Sequence, residues 1–424
     1  MSTECIIVQG GKRLSGVVPI GGAKNSVLKL MAASLLVPGV TTITNVPCIS
    51  DVLTLQSVLE HLGAEVVMDS NAHSVTIDAG KVKDTAVPYD LVAQMRATIT
   101  VLGPLVGRFG KASIAMPGGC DIGARGIDMH LRGLEKLGVS FKTLHGDIHA
   151  HVGPKGLVGA QIELAFASVG ATENLILAAT CAKGTTVIKN AAREPEIADL
   201  ADFLVCLGAR ISGQGTSVIV IEGVDRFDPV KGYATVGDRI EAGTFLVAGA
   251  LAGGPLTVEG VRPEHLATAL MKLEACGAEI ATTPTTITVS HRGSFAPVDI
   301  QTLPYPGFPT DLQAQFMVLD AVASGSSTVT ENIFESRFKV ADEYNRMGAR
   351  VRVEGHHAYI EGVEELSGAP VQAPDLRAGA GLVLAGLIAD GTTRVSGVEF
   401  VDRGYEGIVE KLATVGAQIT RETV

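Results

Sequence analysis

The sequence predicts an α/β protein of two domains, each an inside-out α/β barrel (a prism) with buried helices inside and sheets outside. Three observations predict it: the length of 424 residues, a phrase that recurs six times, and helices that are apolar on nearly every side. The length suffices for two or three ordinary domains. Apolar residues make up 46% and charged residues 19%, which is typical of a globular chain.

The recurring phrase follows a helix-period segment and opens a β-rich one. Its six copies are "LGAEV" at 62, "LGVSF" at 137, "LGARI" at 207, "CGAEI" at 276, "MGARV" at 347 and "VGAQI" at 415. Glycine commonly ends a helix because it tolerates the left-handed conformation. Each repeat therefore contains an amphipathic helix that ends at glycine, followed by a strand.

A second phrase alternates with the first and places a buried helix in each repeat. "CAKGTTVIKN", "LAGGPLTVEG" and "LIADGTTRVSG" each pass from an apolar helix through glycine into a β-branched strand. The preceding helices, such as "AGTFLVAGALAG" and "AGAGLVLAGLIAD", are apolar nearly all round, so they must be buried. Six such units, three to a domain, give the predicted fold. A solenoid is the alternative, although no unit has the polar character of a cap.

Several classes of protein are excluded by composition. The six cysteines include no CxxC pair, which favours reduced thiols over a disulfide frame or a zinc site. The start lacks the pattern of a signal peptide, and no apolar window reaches the ~18 residues of a membrane span. A net charge of −11 without a basic block argues against nucleic acid. We expect a cytoplasmic protein that binds neither membrane nor nucleic acid.

Basic residues stand near the starts of the buried helices. A helix N-terminus favours anions, so cations there are unfavourable unless a bound anion reverses the penalty. Arg239 has acidic neighbours in Asp238 and Glu241, and we expect it to be structural. The full set of cations near helix starts or in the loops between them is Lys24, Arg96, Arg125, Arg239, Arg337, Arg377 and Arg403. This pattern predicts a small, highly charged ligand.

Other motifs carry less chemistry. There is no GxxxxGK[ST] loop, no dinucleotide fingerprint and no GxSxG elbow. His145, His149 and His151 in "LHGDIHAH" are expected on a surface hairpin rather than at a metal site. Cys120 is different, because "MPGGCDIGARG" sets it among glycines and close to Arg125.

At these residues the chain resembles the UDP-N-acetylglucosamine 1-carboxyvinyltransferase family of enolpyruvyl transferases. The resemblance runs nearly end to end, through "GGAKNS", "PGGCDIGAR", "SVGATEN", "NAAREPEI", "GFPTDLQAQF", "DLRAGAGLVLAG" and "DRGYEGI". It implies transfer of the enolpyruvyl group of phosphoenolpyruvate to the 3-hydroxyl of UDP-N-acetylglucosamine with release of phosphate, the first committed step of peptidoglycan synthesis. It implies small-molecule substrates, no cofactor, no metal and no obligate protein partner. It also implies a first domain of residues 1–23 plus 236–424 and an inserted second domain of residues 24–235.

The resemblance assigns roles to individual residues. Cys120 matches the proton donor of a lid loop, which can form a covalent adduct with phosphoenolpyruvate, and nearby Arg125 favours its thiolate. Asp311 matches the base for the 3-hydroxyl, and a helix start keeps it ionised. Lys24 and Arg403 complete the catalytic set. The phosphoenolpyruvate contacts are Lys24, Asn25, Arg125, Arg377 and Arg403, with Arg337 as another cation of the substrate cleft. The nucleotide-sugar contacts are Arg96, Arg125, Gly126, Ile127, Asp128, Met129, Phe166, Ala167, Ser168, Val169, Asp311 and Ile333.

Two residues depart from the family pattern. Gly126 stands where proline is common, which should loosen the hinge of the lid, and Phe166 stands where many members carry lysine. Three alternatives remain: a 5-enolpyruvylshikimate-3-phosphate synthase-like transferase, a non-catalytic regulatory paralogue that binds the nucleotide sugar, and a repeat scaffold for protein partners. Because Cys120 is present, the family resemblance also predicts alkylation by the epoxide antibiotic fosfomycin.

Overall fold

The structure is a computed structural model that describes residues 4–116 and 126–423. The contacts among these residues divide them into two compact units. The first unit comprises residues 4–21 and 237–423, and the second comprises residues 22–116 and 126–236. Each unit has its own hydrophobic core.

Strands and helices alternate along the whole of the described chain. The strands are β1 (Glu4–Gln9), β2 (Gly16–Pro19), β3 (Val40–Thr44), β4 (Glu65–Asp69), β5 (Ser74–Asp78), β6 (Ala86–Val87), β7 (Lys111–Ala115), β8 (Val139–Leu144), β9 (Asp147–Val152), β10 (Gln161–Glu163), β11 (Thr185–Lys189), β12 (Arg210–Ser212), β13 (Val218–Glu222), β14 (Lys231–Ala234), β15 (Leu256–Glu259), β16 (Glu279–Thr282), β17 (Thr286–Ser290), β18 (Ile300–Gln301), β19 (Ser326–Thr330), β20 (Arg350–Glu354), β21 (His357–Glu361), β22 (Pro370–Gln372), β23 (Thr392–Ser396) and β24 (Gln418–Thr423).

The α-helices are α1 (Lys24–Ala33), α2 (Ser50–His61), α3 (Tyr89–Gln94), α4 (Leu102–Phe109), α5 (Asp128–Lys136), α6 (Val169–Ala179), α7 (Pro195–Cys206), α8 (Arg239–Leu251), α9 (Ala267–Ala275), α10 (Gln313–Ala321), α11 (Val340–Arg346), α12 (Leu376–Ile388), α13 (Val398–Val401) and α14 (Ile408–Thr414). Short 3-10 helices span Ser34–Leu36, Arg96–Val101, Pro263–Leu266, Thr310–Leu312 and Arg337–Lys339.

The strands form six four-stranded sheets, three in each unit, and all six share one pattern. In the first unit the strand orders are β22-β23-β1-β24, β16-β17-β15-β2 and β18-β19-β21-β20; in the second they are β14-β3-β5-β4, β6-β7-β9-β8 and β10-β11-β13-β12. Each sheet has one parallel pair at an edge and two antiparallel pairs. The N-terminal strands β1 and β2 pair with β23, β24 and β15, so the first unit is discontinuous in sequence.

The glycines of the recurring phrase sit at corresponding places in the structure. They follow helices α2, α5, α7, α9, α11 and α14 and precede a strand in every case. All six have left-handed φ angles: Gly63 (99°), Gly138 (101°), Gly208 (102°), Gly277 (100°), Gly348 (91°) and Gly416 (108°). A side chain would be strained at these angles, which explains why the sequence returns to glycine. The predicted order of helix, glycine and strand is confirmed.

The apolar helices are buried along almost their whole length. In the first unit α8, α10 and α12 contact one another, and every residue of α10 is buried. Their glycines allow this close packing. A Cβ at Gly243 of α8 would lie 2.6 Å from the side chain of Leu312, and one at Gly381 of α12 would lie 2.2 Å from the hydroxyl of Tyr344. In the second unit α1 and α6 are similarly buried.

His149 and His151 lie on β9, which pairs with β8 through a turn at residues 145 and 146, so the predicted hairpin is confirmed. A helix long and apolar enough to cross a membrane does not occur within residues 4–116 and 126–423.

Candidate functional site

Three predicted residues of the first unit meet around one carboxylate. Asp311 lies in the 3-10 turn that leads into α10. Its Oδ1 is 2.8 Å from Nη1 of Arg337, and its Oδ2 accepts hydrogen bonds from Nε (3.2 Å) and Nη2 (3.0 Å) of Arg377. The two arginines are 7% and 3% exposed, whereas the Asp311 side chain is 20% exposed. The carboxylate is therefore partly accessible to solvent, while its cationic partners are buried in the protein.

Arg377 is fixed by its contacts with Asp311, but these contacts do not use all of its hydrogen-bond donors. It is the second residue of α12, whose first turn is capped by the side chain of Asp375. Burial alone lowers the pKa of Arg377, but Asp311, Tyr405 and Asp238 together more than offset this, so the pKa is raised. Its Nη1 is buried and has no hydrogen-bond partner within the described part of the chain. A guanidinium with an unused donor is suited to bind an anion.

The aromatic ring of Tyr405 packs against the guanidinium of Arg377. The guanidinium carbon of Arg377 lies 5.3 Å from the centre of the Tyr405 ring, within the range of a cation–π contact. The Tyr405 hydroxyl is 2.9 Å from Oγ1 of Thr244 and accepts a hydrogen bond from Nε2 of Gln315 at 3.2 Å. Burial raises the pKa of Tyr405, so the ring remains a neutral platform. Arg403 lies two residues earlier, half-buried, on the turn after α13.

Glu331 organises the loop that carries Ile333 and Arg337. Its Oε1 accepts hydrogen bonds from the backbone N–H groups of Ile333 (2.7 Å) and Phe334 (3.0 Å). Its Oε2 accepts from Oγ1 of Thr310 (2.8 Å), and the carbonyl of Thr310 accepts from Nη1 of Arg337 (2.6 Å). Glu331 thus ties the Ile333 loop to the turn that contains Asp311.

In the second unit, three polar side chains of α1 are each held by a carboxylate of another helix. Nζ of Lys24 is 2.9 Å from Oδ2 of Asp51 on α2, and both side chains are buried. The hydroxyl of Ser26 donates to Asp199 on α7. Lys29 is 3.2 Å from Glu173 on α6, whose pKa burial raises to about 7 in spite of the lysine. The sequence shows no acid near Lys24, but the fold supplies one; half-buried Asn25 lies beside it.

The predicted nucleotide-sugar contacts of the second unit precede or open helices. Gly126 and Ile127 lead into α5, which begins with Asp128 and Met129. Phe166 to Ser168 lead into α6, which begins at Val169 and is capped by Ser168, whose hydroxyl accepts from the N–H of Ala171 at 3.4 Å. Phe166 is 44% exposed. Arg96 opens the 3-10 helix before α4. Cys120 and Arg125 lie outside the described residues.

Arg239 opens α8, as expected, and each of the two acids beside it makes further contacts. Asp238 caps the helix by accepting from the N–H groups of Ile240 and Glu241. Glu241 is 2.6 Å from Nζ of Lys411 and accepts from the N–H of Gly21. The Arg239 guanidinium lies 5.6 Å from the centre of the Tyr305 ring. Glu241 is therefore committed to Lys411, which corrects its expected role as a partner of Arg239.

Comparison with known proteins places the chain among transferases. The family model described as EPSP synthase (3-phosphoshikimate 1-carboxyvinyltransferase) matches residues 8–412. Two curated relatives bear the name UDP-N-acetylglucosamine 1-carboxyvinyltransferase. The relative from Corynebacterium jeikeium is 50% identical over 99% of both chains, and the relative from Gluconobacter oxydans is 50% identical over 98% of both.

Solved structures agree with these sequence relatives. The enolpyruvyl transferase NikO from Streptomyces tendae superposes with a TM-score of 0.90 over 100% of both chains at 26% identity. EPSP synthase from Acinetobacter baumannii superposes with a TM-score of 0.76 over 98% of this chain and 99% of that one, and at 18% identity it supports the fold alone. The chain therefore belongs to the EPSP synthase family and, within it, to the UDP-N-acetylglucosamine 1-carboxyvinyltransferases, which are enolpyruvyl transferases.

Proposed function

We propose that this chain transfers the enolpyruvyl group of phosphoenolpyruvate to the 3-hydroxyl of UDP-N-acetylglucosamine and releases phosphate, as the first committed step of peptidoglycan synthesis in the cytoplasm. The observation that carries the proposal is the cluster around Asp311. A partly exposed carboxylate, a base by nature, lies against buried Arg377, whose Nη1 has no hydrogen-bond partner in the described part of the chain and would serve an anionic substrate. The names of the relatives supply the acceptor.

In the first unit, Asp311 would accept the proton of the 3-hydroxyl. Arg337 and Arg377 hold its two oxygens, so the carboxylate is oriented before substrate binds. Arg377 would bind the phosphoenolpyruvate anion through Nη1, assisted by Arg403. A second anion beside Arg377 competes with Asp311 for the guanidinium, and Asp311 becomes a better proton acceptor as a result. Ile333 would contact the nucleotide sugar.

In the second unit, Lys24 and Asn25 would contact phosphoenolpyruvate from the start of α1. Asp51 keeps the Lys24 ammonium in one orientation, which suits a fixed cation opposite a phosphate. Residues 126–129, residues 166–169 and Arg96 would bind the nucleotide sugar. The diphosphate would lie near the first turn of α6, where backbone N–H groups favour an anion. Arg125 would serve both substrates.

The chemistry proceeds by addition and elimination. Cys120 would protonate C3 of phosphoenolpyruvate, which makes C2 electrophilic, while the 3-hydroxyl oxygen bonds to C2 and gives its proton to Asp311. The C2–O bond would then break with its electron pair leaving on the phosphate, and C3 would return a proton to the Cys120 thiolate as the double bond is restored. Side-chain cations stabilise the departing phosphate throughout. The products are the enolpyruvyl ether of the nucleotide sugar and inorganic phosphate.

We also propose that each unit is an inside-out barrel in which three sheets surround the buried helices. The six sheets of one pattern and the nearly complete burial of α8, α10 and α12 support it. The domains would span residues 1–23 plus 236–424 and residues 24–235; the contact-based boundaries fall within two residues of these limits. The partners would be the two small-molecule substrates, without nucleic acid, membrane or an obligate protein partner.

The test is phosphate release from phosphoenolpyruvate with each of two acceptors, UDP-N-acetylglucosamine and shikimate 3-phosphate. We expect release only with the nucleotide sugar, and a loss of at least about a hundredfold in kcat for Cys120→Ala and for Asp311→Asn. Asp342→Asn, which alters an exposed carboxylate in the first turn of α11, is the control and should retain full activity. Release with shikimate 3-phosphate alone would assign the chain to the sister reaction. Binding of the nucleotide sugar without any turnover would indicate a regulatory protein.

A further inference from the structure

Asn174, in the middle of α6, links three other segments of the second unit. Its Oδ1 accepts a hydrogen bond from the backbone N–H of Gly103 at 2.8 Å, and its Nδ2 donates to the carbonyl of Ile99 at 3.0 Å. The same Nδ2 lies 2.9 Å from Nδ1 of His130, on α5. Asn174 is fully buried and His130 is 6% exposed, so these groups depend on one another rather than on solvent.

The partners of Asn174 determine the tautomer of His130. A backbone N–H can only donate and a carbonyl can only accept, so the amide oxygen faces Gly103 and the amide nitrogen faces Ile99. That nitrogen also donates to Nδ1 of His130, which must therefore offer a lone pair. The network thus assigns the single proton of the neutral imidazole to Nε2.

The Nε2 edge of His130 lies against the start of α6. A Cβ added at Gly170, the second residue of the helix, would lie 3.3 Å from Nε2 and 3.2 Å from Cε1 of the ring. Glycine at this position therefore permits the imidazole to approach the helix. Ser168 and Val169 come directly before Gly170, and Asp128 and Met129 come directly before His130. His130 thus joins the two segments proposed to bind the nucleotide sugar.

We propose that Asn174 is a positioning residue for the nucleotide sugar. It acts through His130, which holds the start of α5 against the start of α6, and it keeps an N–H group rather than a lone pair at the edge that faces the first turn of α6. The ligand class is a nucleoside diphosphate sugar, whose diphosphate oxygens accept hydrogen bonds and would be repelled by a lone pair. The inference rests on the proposed function, because it takes residues 126–129 and 168–169 as the binding segments.

The tautomer is tested first, by long-range ¹H–¹⁵N NMR of the histidine rings in the wild-type chain. The two ring nitrogens of a neutral histidine differ widely in ¹⁵N shift, and the signals of His130 are those absent from His130→Gln. We expect the proton on Nε2. In Asn174→Asp the second carboxylate oxygen can only accept, so the proton of His130 should move to Nδ1. A proton on Nδ1 in the wild type would overturn the inference, whatever the activity of the chain.

The positioning role is tested by affinity. Asn174→Asp should weaken UDP-N-acetylglucosamine binding by about tenfold, the scale of one hydrogen bond to a charged group, and leave the KM for phosphoenolpyruvate within about twofold. Thr180→Val is the matched control, because it removes a buried hydrogen bond from the other end of α6, that of Oγ1 to the carbonyl of Leu177. We expect the control to lower the melting temperature without changing the affinity for UDP-N-acetylglucosamine or the KM for phosphoenolpyruvate.

The outcomes separate this inference from the proposed reaction. If Asn174→Asp and Thr180→Val change the affinity for UDP-N-acetylglucosamine and the KM for phosphoenolpyruvate to the same extent, Asn174 is merely structural and the inference is wrong. If the wild type binds UDP-N-acetylglucosamine but releases no phosphate, the proposed reaction is wrong, and the affinities for this nucleotide sugar, measured by calorimetry, still decide the role of Asn174. If the wild type does not bind this nucleotide sugar, the inference is wrong together with the proposed function.

Discussion

Arg377 contacts Asp311 through two hydrogen bonds, from Nε and Nη2 to the same carboxylate oxygen, while its Nη1 has no hydrogen-bond partner among residues 4–116 and 126–423. Two nitrogens of the guanidinium therefore orient the proposed base, and we expect the third, Nη1, to contact a substrate anion. Lysine cannot make both the contact with Asp311 and the contact with an anion, because its ammonium is a point charge without a planar fork of donors.

We therefore expect Arg377→Lys to raise the KM for phosphoenolpyruvate by about tenfold to a hundredfold, the range for lost hydrogen bonds to a charged group. Steady-state phosphate release at saturating nucleotide sugar measures it. Arg352→Lys is the matched control, because Arg352 also pairs with a carboxylate, Glu354, and lies over an aromatic ring, Tyr359, but is exposed on β20. Equal effects of the two substitutions would show that the role of Arg377 is not specific.

The Lys24–Asp51 ion pair leads to a prediction about the second unit. Asp51→Asn keeps the size of the side chain and removes the charge that orients Lys24. Because a reoriented ammonium contacts the phosphate less well, the KM for phosphoenolpyruvate should rise by about tenfold while nucleotide-sugar affinity is kept. The control is Glu65→Gln, which breaks the exposed pair of Glu65 with Lys81 and should change neither constant. An unchanged KM in Asp51→Asn would remove Asp51 from the proposed site.

Sequence patterns predicted those features that depend on local conformation. The six glycines were visible because a left-handed φ at a helix end leaves little choice of residue. Cations at helix starts, Lys24 and Arg377 among them, could be recognised from the sequence. They oppose the helix dipole, so their presence indicates a function other than helix stability. The buried helices followed from their all-round apolar character.

The partners of these cations were not predictable in the same way. Asp51 and Tyr405 come from elements distant in sequence from Lys24 and Arg377, and Asp51 lies at what looks like an ordinary helix start. Only the packing of one element on another brings Asp51 to Lys24 or Tyr405 to Arg377. The motif "DRGYEGI" contains Tyr405, and its aromatic ring beside an arginine was the one signal that could have indicated a cation–π contact.

A buried acid of α10 should make the stability of the first unit depend on pH. Burial raises the pKa of Asp320 from an ordinary 3.8 to about 7. Between these values the folded state binds more protons than the unfolded chain, so stability falls as the pH rises from about 4 to 7 and is level above that. The loss is at most about 4 kcal/mol. Asp320→Asn should abolish it.

The measurement compares urea midpoints at pH 5 and pH 8. Relative to the wild type, Asp320→Asn should gain stability at pH 8 and gain least at pH 5, where the wild-type carboxyl is already protonated. Glu364→Gln, at an exposed carboxylate of the same unit, is the control and should run parallel to the wild type. A variant that is destabilised equally at both pH values would show that Asp320 titrates normally.

Fosfomycin should alkylate the chain once, at Cys120. The reaction needs a thiolate, which opens the epoxide and adds the mass of the drug. Burial disfavours the thiolate at two other cysteines, because it raises the pKa of Cys181 to about 11 and that of Cys276 to about 12. The thiol of Cys206 is exposed and could also react. An adduct on Cys206 adds the same mass to the whole protein as an adduct on Cys120. Peptide mass mapping does separate them: Cys120→Ala should stay unmodified, and Cys206→Ser should react like the wild type. An adduct on Cys206 alone would mean that exposure, rather than the glycine-rich surroundings of Cys120, governs thiol reactivity in this chain.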